Sequence, residues 1–159
     1  QLQSRGLMIQ RKHTLYLLIA LVLTFVCLSF PLATFVGDDL HMDTLVTNLC
    51  ERLGRGIPNF KTVPLFVLLL LTLPLNVWAI SAFKTRKFQA KLCLINVILL
   101  VLWHVVAIYF LFFSFERQDT TLEIRFTAFF PLISLLLYVL ARHAILADEK
   151  LVRAADRIR

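Results

Sequence analysis

Asp38, Asp39, His41 and Asp43 bring carboxylates and an imidazole together in one short polar run, the mixture of ligands that divalent metals accept. No second His or Cys stands nearby at a helical or knuckle spacing, so the run reads as a solvated acidic loop in which Asp39, His41 and Asp43 are weak metal candidates. Cys27, Cys50 and Cys93 are scattered with no C-x-x-C pair, whereas a thiol relay needs two sulfurs within reach of each other. Cys27 and Cys93 read as small apolar fillers and only Cys50 as lying in a loop. The pattern implies no cofactor and no catalytic residue.

The remaining candidates sit inside long apolar stretches. Asn76 lies eight residues from Lys84, roughly 12 Å along a helix, and Asn96 lies five from Lys91, roughly 8 Å. Two antiparallel helices would bring these amides within about one turn of each other, where they act as interhelical glue worth about 0.6 kcal/mol. His104, thirteen residues from Lys91 and so roughly 20 Å along, comes directly after Trp103. It reads as a neutral imidazole bonded to a neighbouring helix, with a substrate or proton site as the alternative. Asn76, Asn96, Trp103 and His104 are thus the ligand-binding candidates. No Asp, Glu, Lys or Arg lies within the first three apolar stretches, which weighs against an ion-coupled transporter.

The elements that hold these residues can be read from composition. With 59% hydrophobic and 17% charged residues and a mean hydropathy of +0.79, the chain has too little polar surface to cover a water-soluble globule. A hydrocarbon core needs about 20 apolar residues per helix, and four windows free of acidic and basic residues run through 13–37, 62–83, 92–115 and 126–141. Without alternation they favour helices over barrel strands. The first window is too long for a cleaved signal core and three more come after it, so it reads as an anchored helix. Gln1 to Leu7 look unrelated to the rest of the chain, making Met8 the expected natural start.

Counting Lys and Arg on the two sides of four spans puts twelve on the side of the termini and five on the other, where Asp and Glu gather. The positive-inside rule makes the first side cytoplasmic and both termini internal. Because the basic residues are spread over three segments beside spans, their expected partner is anionic lipid or a protein at the cytoplasmic face, not nucleic acid. Arg11, Lys84, Arg86, Lys87, Arg153 and Arg157 are the contact candidates.

Between the first two spans, Leu45, Leu49 and Leu53 recur every four residues, with Asp43 placed to cap and Gly54 to stop a short surface helix. Pro64 fits the first turn of span two, while Pro31, Pro74 and Pro131 are candidate kinks. The short fourth window is completed as a helix either by Thr120 to Arg125 or by Ala144 to Ala147 with Arg142 snorkelling. No Gly or Pro lies beyond Arg142, so span four continues as a cytoplasmic helix. Its stripe of Leu151, Ala155 and Ile158 and its Glu149–Arg153 spacing suit a membrane surface or a subunit contact. No span holds a Gly-x-x-x-Gly pair, and Leu and Phe prevail, which argues against close backbone packing.

The start, Met8-Ile9-Gln10-Arg11 with Thr14-Leu15-Tyr16-Leu17-Leu18, the segment Phe30-Pro31-Leu32-Ala33, and the end from Asp148 to Arg159 resemble an uncharacterised family of small four-span inner-membrane proteins from the Bacteroidota. Lys12-His13 departs from the Ile-Gln expected there. The resemblance implies location but, for a domain of unknown function, no catalytic residues; its charged start and end would meet each other or a common partner. The expected architecture is all-α: residues 1–12 as a cytoplasmic segment, 13–141 as a four-helix membrane domain with its last span over 121–141, and 142–159 as a cytoplasmic helix. A non-enzymatic accessory or structural protein is the leading reading. A lipid- or small-ligand-binding bundle comes second, and a membrane enzyme with its site in the outer loop third.

Overall fold

The computed structural model describes residues 2–38, 42–114 and 120–158, excepting the side chains of 2–11 and 114. Four long helices dominate: α1 (Leu2–Ser29), α2 (Val63–Ser81), α3 (Arg86–Tyr109) and α4 (Phe130–Ile158). Each is long and apolar enough to cross a membrane. Neighbours in sequence pack against each other and α4 returns to α1, closing an up-down-up-down bundle. The start of α1 and the end of α4 therefore lie at the end of the bundle where α2 turns into α3.

The buried positions of each helix recur at alternating steps of three and four: His13, Leu17, Ala20, Thr24 and Cys27 on α1; Leu65, Leu69, Thr72, Asn76 and Ala79 on α2. On α3 the same spacing runs through Gln89, Cys93, Asn96, Leu100, Trp103 and Ala107, with Ala90 and Leu92 also buried beside it, and on α4 through Pro131, Ser134, Tyr138, Ala141, Ile145 and Asp148. That is the heptad seam of a left-handed bundle. Its interior is smaller and more polar than its exterior. Val22, Phe25, Leu70, Ile98, Val105 and Leu136 are exposed, and a soluble protein would not carry so continuous an apolar surface. Small seam residues such as Ala20, Ala79, Cys93, Ser134 and Ala141 let the helices approach without any Gly-x-x-x-Gly pair. The prevalence of Leu and Phe belongs to the outer surface, which is why composition argued against close packing.

The opposite end departs from the all-α expectation, because both loops there enter one sheet. Strands β1 (Ala33–Gly37), β2 (Thr44–Val46), β3 (Glu51–Leu53) and β4 (Thr120–Ile124) form an antiparallel sheet in the order β3-β2-β1-β4. The first span ends at Ser29, eight residues before the apolar run does. Pro31 disfavours helix in the residue before it, and the β-branched Thr34 and Val36 suit a strand. Thr120 to Arg125 does not lengthen the fourth helix either: Thr120–Ile124 pairs along all of β1, and helical geometry begins with the 3-10 turn Phe126–Phe129. The alternative completion is the one present, since α4 runs on through Ala144 to Ala147 to Ile158.

The surface helix predicted on Leu45, Leu49 and Leu53 is absent. Leu49 and Leu53 are exposed, while Val46 and Asn48 are buried. Pairing of Thr44–Val46 with β1 satisfies the backbone and buries Val46 against Ala33, Phe35 and Leu111 over the end of the bundle. An isolated amphipathic turn gains neither. Asp43 caps a hairpin instead of a helix: its Oδ1 accepts the Gly37 N–H at 3.1 Å. Gly54 ends a strand instead of a helix, at φ 53°, where a side chain would also meet the Met42 sulfur. Pro64 lies in the first turn of α2 as expected. Of the three candidate kinks only Pro74 is interior to a helix; Pro31 lies just beyond α1 and Pro131 is the second residue of α4, where a missing N–H is harmless.

Candidate functional site

The seam holds most of the polar side chains that hydropathy left unexplained. Asn76 donates from Nδ2 to the Leu17 carbonyl at 3.0 Å and to the Tyr138 hydroxyl at 2.6 Å, joining α2 to α1 and α4. It is interhelical glue as anticipated, but its partners are not Asn96. Both Asn96 amide atoms are buried and lack a hydrogen-bond partner among the described residues. Trp103 donates its indole N–H to Asn48 Oδ1 at 3.1 Å, and Asn48 in turn donates to the Cys27 carbonyl at 2.9 Å. Asn48, which carries no sequence signal beyond that of an ordinary loop residue, is fully buried and joins the loop between β2 and β3 to α1 and α3.

His104 is half-buried, with Nδ1 2.6 Å from the Leu100 carbonyl. Its partner belongs to its own helix, not to a neighbour. No hydrogen bond joins the four ligand candidates among the described residues: Asn76 and Trp103 donate to different elements, Asn96 has no partner, and His104 bonds to its own helix, its ring lying edge-on to that of Trp103 with centroids 5.1 Å apart. Asp39 and His41 lie outside the described residues, as does the metal arrangement expected on them; Asp43 is the hairpin cap. Cys27 and Cys93 are buried in the bundle core and Cys50 is half-buried beside Thr47.

Where the start of α1 packs on the distal part of α4, an imidazole and a carboxylate meet, while the side chains of the charged start Met8 to Arg11 lie outside the described ones. His13 Nδ1 lies 3.7 Å from Asp148 Oδ2, and both side chains are nearly excluded from solvent. The pair attracts as ions whenever the imidazole is protonated. Gln89, fully buried one turn into α3, donates to the Ala79 carbonyl at 2.9 Å and fixes the α2–α3 turn.

Beside this contact, the first turns of α3 and the distal part of α4 enclose a groove of about 540 Å³. Lys87 and Lys91, one turn apart on α3, face Arg142, His143, Lys150 and Arg153 on α4. Glu149 is the lone carboxylate among the lining residues, and Arg153 Nε holds it at 3.1 Å. Ala90, Leu94, Leu146 and Ala147 form the apolar wall. A second groove of about 370 Å³ shares Glu149 and is lined by Lys84 and Arg86 with Phe83 and Val152. Five fixed cations stand against one carboxylate beside an apolar wall, an arrangement with the chemistry to hold an anion that carries a hydrocarbon portion.

Of the six basic residues singled out from sequence, Lys87 and Arg153 line the larger groove and Lys84 and Arg86 the smaller. Arg157 is exposed beyond both, and the Arg11 side chain lies outside the described ones. Sequence reasoning missed Lys91, Arg142, His143 and Lys150. Their helical spacing marks Lys87 with Lys91, and Arg142 with Lys150 and Arg153, as two one-sided stripes. That the stripes face each other is decided only by the packing of α3 on α4. Comparison with curated proteins found no match. The family model described as Domain of unknown function (DUF4293) matches residues 9–158, almost the whole chain, and the chain belongs to that family.

Proposed function

We propose that this is a non-enzymatic multi-pass protein of the bacterial inner membrane with both termini in the cytoplasm. It serves as an accessory or structural subunit whose contacts with lipid and protein lie at its cytoplasmic face. The observation that carries this reading is the division of the molecule into an apolar-surfaced bundle, a mixed-charge sheet at one end and a strongly basic end at the other. Large apolar side chains outside and small or polar ones inside suit a hydrocarbon solvent. Twelve Lys and Arg on the side of the termini against five beyond the spans suit a cytoplasmic location for that side. The accessory role is supported by the use to which the intramembrane polar groups are put: Asn76 and Trp103 hold elements of the bundle together.

One observation favours the second reading, a ligand-binding bundle: Asn96 is buried with an unpartnered amide. The engagement of Asn76 and Trp103 favours the first. Topology is tested by single cysteines in a background where Cys27, Cys50 and Cys93 are Ser. In intact cells, cysteine at Arg55 is expected to react with a membrane-impermeant maleimide, and cysteine at Arg157 to react only after the membrane is opened. Labelling of Arg157→Cys in intact cells would overturn the assignment.

A further inference from the structure

We propose that the groove between α3 and α4 is a specific site for an anionic phospholipid, its phosphate held by Arg142, Lys91 and Lys150 and its acyl chain laid along Leu94 and Leu146. The inference rests on the membrane-spanning reading and goes beyond general attraction to a charged surface. The groove volume, about 540 Å³, is that of a small-ligand site. Arg153 holds the single carboxylate, so four fixed cations remain without a countercharge among the lining residues.

Arg142 is the decisive group. It stands directly after the apolar Phe126–Ala141 segment, and its Nε is buried without a hydrogen-bond partner among the described residues. A guanidinium at the edge of hydrocarbon is stabilised by a planar fork of bonds to phosphate oxygens. The start of α3 adds the positive end of a helix whose capping residue, Thr85, makes no side-chain cap bond. Free phosphate and an acidic protein segment share the charge complementarity but not the wall. Leu94 is 40% exposed and continues the cationic pocket onto the apolar flank of the bundle, which suits a molecule with its headgroup and chain at those two depths.

The test uses the full chain in nanodiscs of phosphatidylcholine with increasing phosphatidylglycerol, and then native mass spectrometry of the lipids retained on release. The native chain is expected to retain phosphatidylglycerol over phosphatidylcholine. Lys91→Gln with Lys150→Gln, both at exposed positions, lowers that affinity roughly thirty-fold, at about a tenfold loss per 1.4 kcal/mol and about 1 kcal/mol per interfacial cation. Arg142→Gln, which removes one cation, lowers it roughly fivefold on the same scale, whereas Arg157→Gln, outside the groove, has little effect. Equal retention of both lipids by an inserted, folded chain overturns the site and leaves the membrane reading intact, as does equal loss in Arg157→Gln. Displacement of the lipid by millimolar inorganic phosphate or by poly-glutamate assigns the groove to a soluble anion or an acidic partner and also overturns the proposal. A chain that fails to float with vesicles would sink the membrane reading itself.

Discussion

The Trp103 indole nitrogen lies 3.1 Å from Asn48 Oδ1, so a residue in the middle of an apolar helix is tied to a residue from the loop between two strands. Asn48 reaches the bundle because β2 and β3 pair with each other and direct the turn between them inward, where its Nδ2 also meets the Cys27 carbonyl. The sheet is thus fastened to α1 and α3 by one fully buried amide. Asn48→Ala removes both bonds and leaves the Trp103 N–H buried without an acceptor, a loss of about 1–3 kcal/mol. Thermal unfolding in detergent is expected to show the loss. In a Trp78→Phe background, emission from Trp103 should shift to the red as water enters; an unchanged midpoint and spectrum would show the link to be idle.

Asn76 and Tyr138 form the corresponding tie at the other end of the seam. Tyr138→Phe removes one acceptor and leaves the Leu17 carbonyl available, so it is expected to cost about 0.6 kcal/mol, the average for such bonds in membranes. Asn76→Ala removes both bonds and the side-chain volume, at about 2 kcal/mol or more. A double-mutant cycle read by denaturant titration in mixed micelles should give a positive coupling energy, and strict additivity would show that the two side chains do not support each other.

Asn96 predicts the opposite sign. Its amide is buried with neither atom bonded among the described residues, and a polar group left so costs about 1–3 kcal/mol. Asn96→Leu, close in volume, should therefore raise the unfolding midpoint. A lowered midpoint would mean that the native amide is satisfied in the folded bundle.

Glu51 supplies a pH dependence outside the bundle. Burial in the sheet layer raises its carboxyl above the ordinary value, with the Lys61 ammonium opposing the shift. A raised folded-state value means that the neutral acid is the form the fold prefers. The contribution of Glu51 is fully present below its unfolded value and is lost as pH rises through the higher folded one. The stability of the sheet end should accordingly fall as pH increases through the region just above the ordinary carboxylate value. Glu51→Gln should flatten that part of the profile, and an identical profile for the native chain and the variant would contradict the assignment.

Hydropathy and length were enough to place four helices and the continuation of the last beyond Arg142, because each depends on local composition summed along the chain. The interhelical role of Asn76 was legible for a similar reason: an amide in an apolar stretch has few other uses. The sheet was not. Thr120–Ile124 is separated from Ala33–Gly37 by most of the chain, and no window that contains only one of them shows that the backbone groups of each satisfy the other. Spacing at Leu45, Leu49 and Leu53 fitted a helix, and only competition with β1 excluded it. The seam was hidden as well, since in a segment that is apolar all round the buried face is marked by small and polar residues, not by hydrophobic ones.

What the sequence determined by itself was therefore the number of apolar helices and the end at which positive charge accumulates, because both arise from side-chain transfer energies that act residue by residue. Tertiary structure decided which stripe of each helix faces inward, the union of two distant loops in one sheet, and the meeting of Lys87 and Lys91 with Arg142, Lys150 and Arg153 across a single groove. These depend on relations between elements far apart in the chain, and a linear pattern carries the chemistry of each partner without the geometry that joins them.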